Sequence, residues 1–197
     1  MGRLGQRAVG DGIQRYNLTV MAILKVAHMG HPVLRKQAKA LEPTEIRTPG
    51  FQKLVDDMIE TMHEYAGIGL AGPQVHESLR LFIAGLEQAD GSLKVLPFVN
   101  PEISPVGTAL AEDWEGCLSI PDIRGKVVRP AEVVVRALDR RGKPFEMTLR
   151  GYPARVVQHE TDHLDGILFF DRMKSFETLT FLEEYSRFWR ERDTEDD

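Results

Sequence analysis

From Phe51 onward the apolar positions Leu54, Val55, Met58, Ile59 and Met62 recur at spacings of three and four, the mark of a helix that buries one face. Thr48 and Pro49 suit its start, and the methionines fall on the buried stripe. Beyond this helix the period changes to two. Leu79 to Leu86 and Val95 to Ile103 read as short strands on either side of a polar turn at Asp90-Gly91. Val133, Val135 and Ala137 alternate with Val134, Arg136 and Leu138, and Asp139-Arg140-Arg141-Gly142 then turns the chain into Phe145, Met147 and Leu149. The last three alternate with Glu146, Thr148 and Arg150, so the pattern predicts a hairpin with one buried face.

A second helical stretch follows this hairpin directly. Gly151 and Pro153 suit its entry, Ala154, Val156 and Val157 its apolar side, and Gly166 its exit. After Asp171, Ser175 is placed to cap a last helix carrying Leu179, Leu182, Tyr185 and Trp189, with Glu191 to Asp197 a solvated end. The segment before Met21 is rich in Gly and Arg, has a single acid and shows no period. Residues 1–20 are therefore expected to be a disordered extension, and 21–197 a single catalytic domain. The expected class is α+β, with antiparallel or mixed sheets packed around a central helix and further helices near each end.

Composition narrows the picture. The 197 residues, 42% of them apolar, suffice for one domain with a core. A net charge of -5 argues against a nucleic-acid binder, and the only basic cluster, Arg140, Arg141 and Lys143, sits in a turn. No run is long and apolar enough to span a membrane, and the start lacks a secretory apolar core, so a cytoplasmic protein is expected. Arg3, Arg7 and Arg15 hint at an organelle transit sequence, but the segment is short and poor in serine. The lone Cys117 cannot form an intramolecular disulfide, which leaves it as a buried thiol, a reactive thiol or a ligand.

The candidate chemistry lies in Gln158-His159-Glu160-Thr161-Asp162-His163, an HExxH pattern. On a helix, His159 and His163 stack on one face and Glu160 points to its flank, so two metal ligands and a neighbouring base share a surface. A tetrahedral site with an open position needs a third protein ligand. Downstream there is no His or Cys, leaving the carboxylates of Glu177, Glu183 and Glu184; with one of these, the chain would read as a zinc endopeptidase. Upstream, Cys117 in Glu115-Gly116-Cys117-Leu118-Ser119 offers a thiolate and is the better candidate. Gly67-Ile68-Gly69-Leu70-Ala71-Gly72-Pro73-Gln74 adds a glycine-rich loop that admits close backbone approach, though without the signature of a phosphate loop.

Taken in order, GxGxA followed by Gln, then EGCLS, then QHExxH, these segments resemble the peptide deformylases from about Met21 to the last helix. One departure is Gly72, followed by Pro73, where that family often has a second alanine. The resemblance implies that Cys117, His159 and His163 hold the metal, with a water in the fourth position as the nucleophile. It makes Glu160 the general base and then acid, and it assigns the formyl oxygen to the Gln74 amide, the Leu118 backbone amide and the metal. Gly67, Ile68, Gly69 and Leu118 would contact the substrate, with Ile68, Leu118 and Val157 lining a methionine pocket by proximity. The implied substrate is an N-formyl-Met nascent peptide and the implied metal Fe(II), with Zn(II) or Ni(II) able to use the same ligands. A transient ribosome contact is implied as well.

Overall fold

The computed structural model describes residues 21–87 and 91–190. A single turn, α1 (Pro43–Ile46), leads into α2 (Pro49–Glu64), where the Thr48 hydroxyl accepts the Phe51 N–H at 3.2 Å. Val55, Met58 and Met62 on α2 are fully buried against Leu81 and Ile83, as their spacing requires. The chain continues through β1 (Gly69–Ala71), β2 (Leu81–Glu87), β3 (Leu93–Pro105), β4 (Leu110–Cys117), β5 (Ile120–Pro130), β6 (Glu132–Leu138) and β7 (Pro144–Arg150). It then enters α3 (Gly151–Leu164) and ends in β8 (Thr180–Phe181) and α4 (Leu182–Phe188).

Five strands form one sheet in the order β1-β2-β3-β6-β7, and β4-β5-β8 form a second. Every pairing within them is antiparallel; a parallel bridge, Lys39 with Leu79, lies outside the named strands. The fold is thus α+β, and the mixed alternative is not needed. The β6–β7 hairpin shows the alternation expected of it, with Val133, Val135 and Ala137 buried. Its turn is held by the Asp139 carboxylate, which accepts the N–H groups of Arg141 and Lys143. Arg140 donates to Asp56 at 2.7 Å and to Gln52, which ties this basic cluster to α2.

Ala154, Val156, Val157 and Leu164 on α3 join Phe82, Phe98, Val133 and Val135 in one core, so the five-stranded sheet braces the helix and turns its polar face away. Gly166, at φ 74°, follows the end of α3. Among the described residues no helix is long and apolar enough to cross a membrane. Asp90 of the expected β2–β3 turn, residues 1–20 and Glu191 to Asp197 lie outside the described residues.

One expectation needs correction, and one hairpin was not anticipated. The last helix does not start at Ser175, because Thr180 and Phe181 pair as extended chain with Arg124 and Ile123 of β5. Ser175 instead accepts the Glu177 N–H, Leu179 lies upstream of α4, and Trp189 only caps its end. The β4–β5 hairpin carries no period-two signal, because polar Glu115 and Arg129 occupy buried positions where alternation calls for apolar residues.

The departure at Gly72 has a structural reason. A Cβ there would stand 2.7 Å from the Glu77 carbonyl oxygen and 2.9 Å from that of Leu79. Backbone cannot yield as a flexible side chain can. Gly72→Ala, which would bring the loop nearer the family pattern, is therefore expected to destabilise this protein by about 1–3 kcal/mol. A lowered thermal midpoint checks this, and a midpoint at or above wild type would refute it.

Candidate metal centre and active site

α3 stacks His159 and His163 with ring centroids 5.0 Å apart. β4 ends at Cys117, and a two-residue turn of Leu118 and Ser119 returns the chain into β5 at Ile120. This tight reversal sets the Cys117 Sγ 3.2 Å from His163 Nε2. One ligand atom each from Cys117, His159 and His163 lie within 4.8 Å of one another, and all three residues are buried. The carboxylates weighed as alternatives do not join them: Glu177 is exposed, and Glu183 and Glu184 face Arg187 at 3.0 and 3.4 Å.

The donor chemistry suits a divalent cation. Burial alone would raise the Cys117 thiol, but the His163 and His159 imidazoles beside it outweigh that and hold it well below its ordinary value, favouring the thiolate ligand form. His163 Nδ1 and Glu160 Oε2 are buried without a hydrogen-bond partner among the described residues. A sulfur, two imidazoles and an uncommitted carboxylate at one point fit a cation with a position left for a reactant.

His159 is fixed from behind. Its Nδ1 lies 2.9 Å from Glu115 Oε2; with the proton on that bond, Nε2 is left to act as a ligand. Glu115 also receives Arg129 through two bonds of 2.6 and 2.9 Å and Arg155 at 2.8 Å. Arg129 reaches on to Asp162 at 2.8 Å, and Arg172 closes the network on the same carboxylate. Burial opposes the Glu115 charge, but Arg129 and His159 overcome it and hold the carboxyl well below the usual range. Sequence reasoning gave none of these residues a role. One signal was available: a charge at Arg129, in register with buried Val127, has no place on an apolar face without a buried partner.

Glu160 is 4% exposed, with its carboxylate against the backbone of β1. A Cβ at Gly69 would stand 2.3 Å from Glu160 Oε1, which accounts for that glycine. Burial, more than any neighbouring charge, pushes the Glu160 carboxyl up to about 7. Gln74 is 1% exposed. Its Oε1 accepts the Ala71 N–H at 2.8 Å, which turns Nε2 toward Ser119 Oγ at 3.2 Å and Cys117 Sγ at 3.5 Å.

Gly67, Ile68, Gly69, Gln74, Cys117, Leu118, His159 and Glu160 all line one open cavity of about 760 Å³, while His163 lies behind it. Val157 does not reach that cavity: it is fully buried against the sheet, and Val156 takes the lining position. Helical rotation accounts for the exchange, since adjacent residues point about 100° apart.

With this geometry in view, comparison with known proteins is consistent throughout. The family model for polypeptide deformylase matches residues 23–178. Peptide deformylase of Leptospira biflexa is 38% identical over 170 residues, spanning 83% of this chain and 95% of the relative. The Salinibacter ruber enzyme is 44% identical over 163 residues, covering 78% and 82%. Among solved structures, the Met-Ala-Ser-bound class I type b deformylase of Acinetobacter baumannii aligns with a TM-score of 0.73 at 37% identity, over 78% of this chain and 100% of the other. A Legionella pneumophila peptide deformylase gives 0.71 at 38%, over 89% and 98%.

Proposed function

The chain belongs to the polypeptide deformylase family, and from that premise we propose how its own residues carry out the reaction. It is a metal-dependent hydrolase that removes the N-formyl group from the initiator methionine of nascent polypeptides and releases formate. We take residues 21–197 as its single catalytic unit, with 1–20 an extension outside it. Cys117, His159 and His163 are the ligands in this reading, and α3 is the central metal-binding helix. The observation that carries it is their convergence beside the buried Glu160, whose Oε2 has no hydrogen-bond partner among the described residues.

A divalent cation bound there would acidify a water and polarise the formyl carbonyl. Glu160 takes the water proton and later returns it to the departing amine. A carboxyl raised toward neutrality by burial suits both halves of that task. Gln74, held by Ala71, presents its amide N–H groups beside Cys117, where with the Leu118 backbone N–H it stabilises the charge developing on the formyl oxygen. Gly67, Ile68, Gly69 and Leu118 line the substrate's path. The Acinetobacter relative holds a peptide that begins with methionine, and the same class of ligand suits this cavity.

A thiolate with two imidazoles accepts Fe(II), Zn(II) or Ni(II), and we propose Fe(II) as the physiological ion. A cytoplasmic setting and a transient ribosome contact complete the reading, since the substrate is a chain still being made. Protein purified without oxygen is expected to hold one iron and to release formate from formyl-Met-Ala, to lose activity in air, and to regain it with ferrous ion and reductant. Full activity with stoichiometric zinc would sink the iron assignment. Cys117→Ala should lose the metal. A variant that kept its metal and cut internal peptide bonds would restore the endopeptidase reading.

A further inference from the structure

The two protein donors assigned to the formyl oxygen come from different sheets. Gln74 belongs to the short helical turn Gly72–Val75 that follows β1 of the five-stranded sheet, whereas Leu118 lies in the β4–β5 turn of the three-stranded one. The sheets share no ladder among the described residues, so the spacing of these donors is set elsewhere.

A stretch outside both sheets spans the gap. Ala22 and Leu24 donate their N–H groups to Asp57 Oδ1 and Thr61 Oγ1 of α2, each at 2.9 Å. Further along, the Ala27 N–H reaches the Gln74 carbonyl at 2.7 Å, and the Met29 N–H reaches the Ser119 carbonyl at 2.8 Å. Val26 and Ala27 are buried, and Ala27 shares a core with Cys117 and Ile120. Two amides two residues apart thus hold one donor turn each. The chain then reverses: the His31 N–H bonds to the His28 carbonyl at 3.0 Å, with Met29 at negative φ and Gly30 at φ 101°. That is a type II turn with Met29 in its second position.

Resting on the deformylase reading, we propose that residues 22–29 form a strap and that Met29 is a positioning residue, its backbone amide holding the β4–β5 turn at a fixed offset from Gln74. The Gln74 side chain and the Leu118 N–H then converge on one oxygen. A bond from Gln74 Nε2 to Ser119 Oγ at 3.2 Å also links the two turns, but it runs through a side chain that must serve the substrate. The strap links them through backbone, and a donor displaced by about 1 Å weakens the hold on the transition state while leaving the metal ligands in place.

Met29→Pro isolates the amide. Proline suits the second position of a type II turn, so the reversal survives while the donor is lost, and the Met29 side chain is exposed. In metal-loaded enzyme acting on formyl-Met-Ala, kcat is expected to fall about 10–100-fold with KM and metal content near wild type. Met29→Ala keeps the N–H and should hold kcat at the wild-type level. Should Met29→Pro fail to fold, an ester in place of the His28–Met29 peptide bond removes the same N–H without the ring and is read in the same way. A fall in kcat short of about tenfold, one carried by KM, one that tracks lost metal, or one that Met29→Ala reproduces overturns the proposal. Failure of the wild type to release formate from formyl-Met-Ala would instead defeat the deformylase reading, and the proposal with it.

Discussion

Glu160→Gln is expected to lower kcat for formate release by about two to four orders of magnitude while metal content stays near wild type. The amide matches the carboxylate in size, so the close contact with Gly69 survives, but it can neither take nor return a proton. Of the two buried side-chain atoms without partners among the described residues, Glu160 Oε2 is the one able to act as a base beside the ligand cluster. Metal analysis with formate-release kinetics checks the prediction. Turnover within tenfold of wild type in metal-replete Glu160→Gln would move the base elsewhere, and loss of the metal would make Glu160 a ligand.

Glu115→Gln is expected to be the change outside the ligands most damaging to stability and metal retention. Glu115 is 5% exposed and faces Arg129, Arg155 and His159 at once. Removing its charge leaves Arg129 to Asp162 alone and Arg155 to the carbonyl oxygens of Val127 and Ala111, at a cost of about 3 kcal/mol. It also frees the His159 ring, for which a loss of about 10–100-fold in metal affinity is expected. The pH dependence has a definite sign. The folded carboxyl sits below its unfolded value, so its contribution is present above the unfolded pKa and is lost as pH falls toward the folded one. Denaturant titrations across the acid range should show a shallower fall of stability with acidification in Glu115→Gln than in wild type. Equal slopes would mean that the ion pairs do not hold this part of the core.

Legibility in the sequence followed the physics of each segment. α2 and the β6–β7 hairpin were plain because each buries one face of a regular element and leaves the other in water, which prints the period on the residue order. α3 was readable for the same reason, and its ligands because two imidazoles four apart have a chemistry of their own. β4 and β5 were hidden because their interior is partly ionic: Glu115, Arg129 and Arg155 are buried where a pattern reader expects solvent. The extent of α4 was hidden too, since pairing of Thr180 and Phe181 with a strand over fifty residues upstream decides where it begins. Cys117 was found as a type of residue, but its nearness to His163 comes from a hairpin turn that composition does not announce.

Cys117 sits on the hairpin of the three-stranded sheet, whereas His159 and His163 ride on the helix backed by the five-stranded one. A cation gripping all three is thus a rivet between the two layers, and prying the layers apart means first surrendering it. Loss or oxidation of the ion would then slacken the joint as well as silence the chemistry, so that idle enzyme becomes the easier prey for proteases.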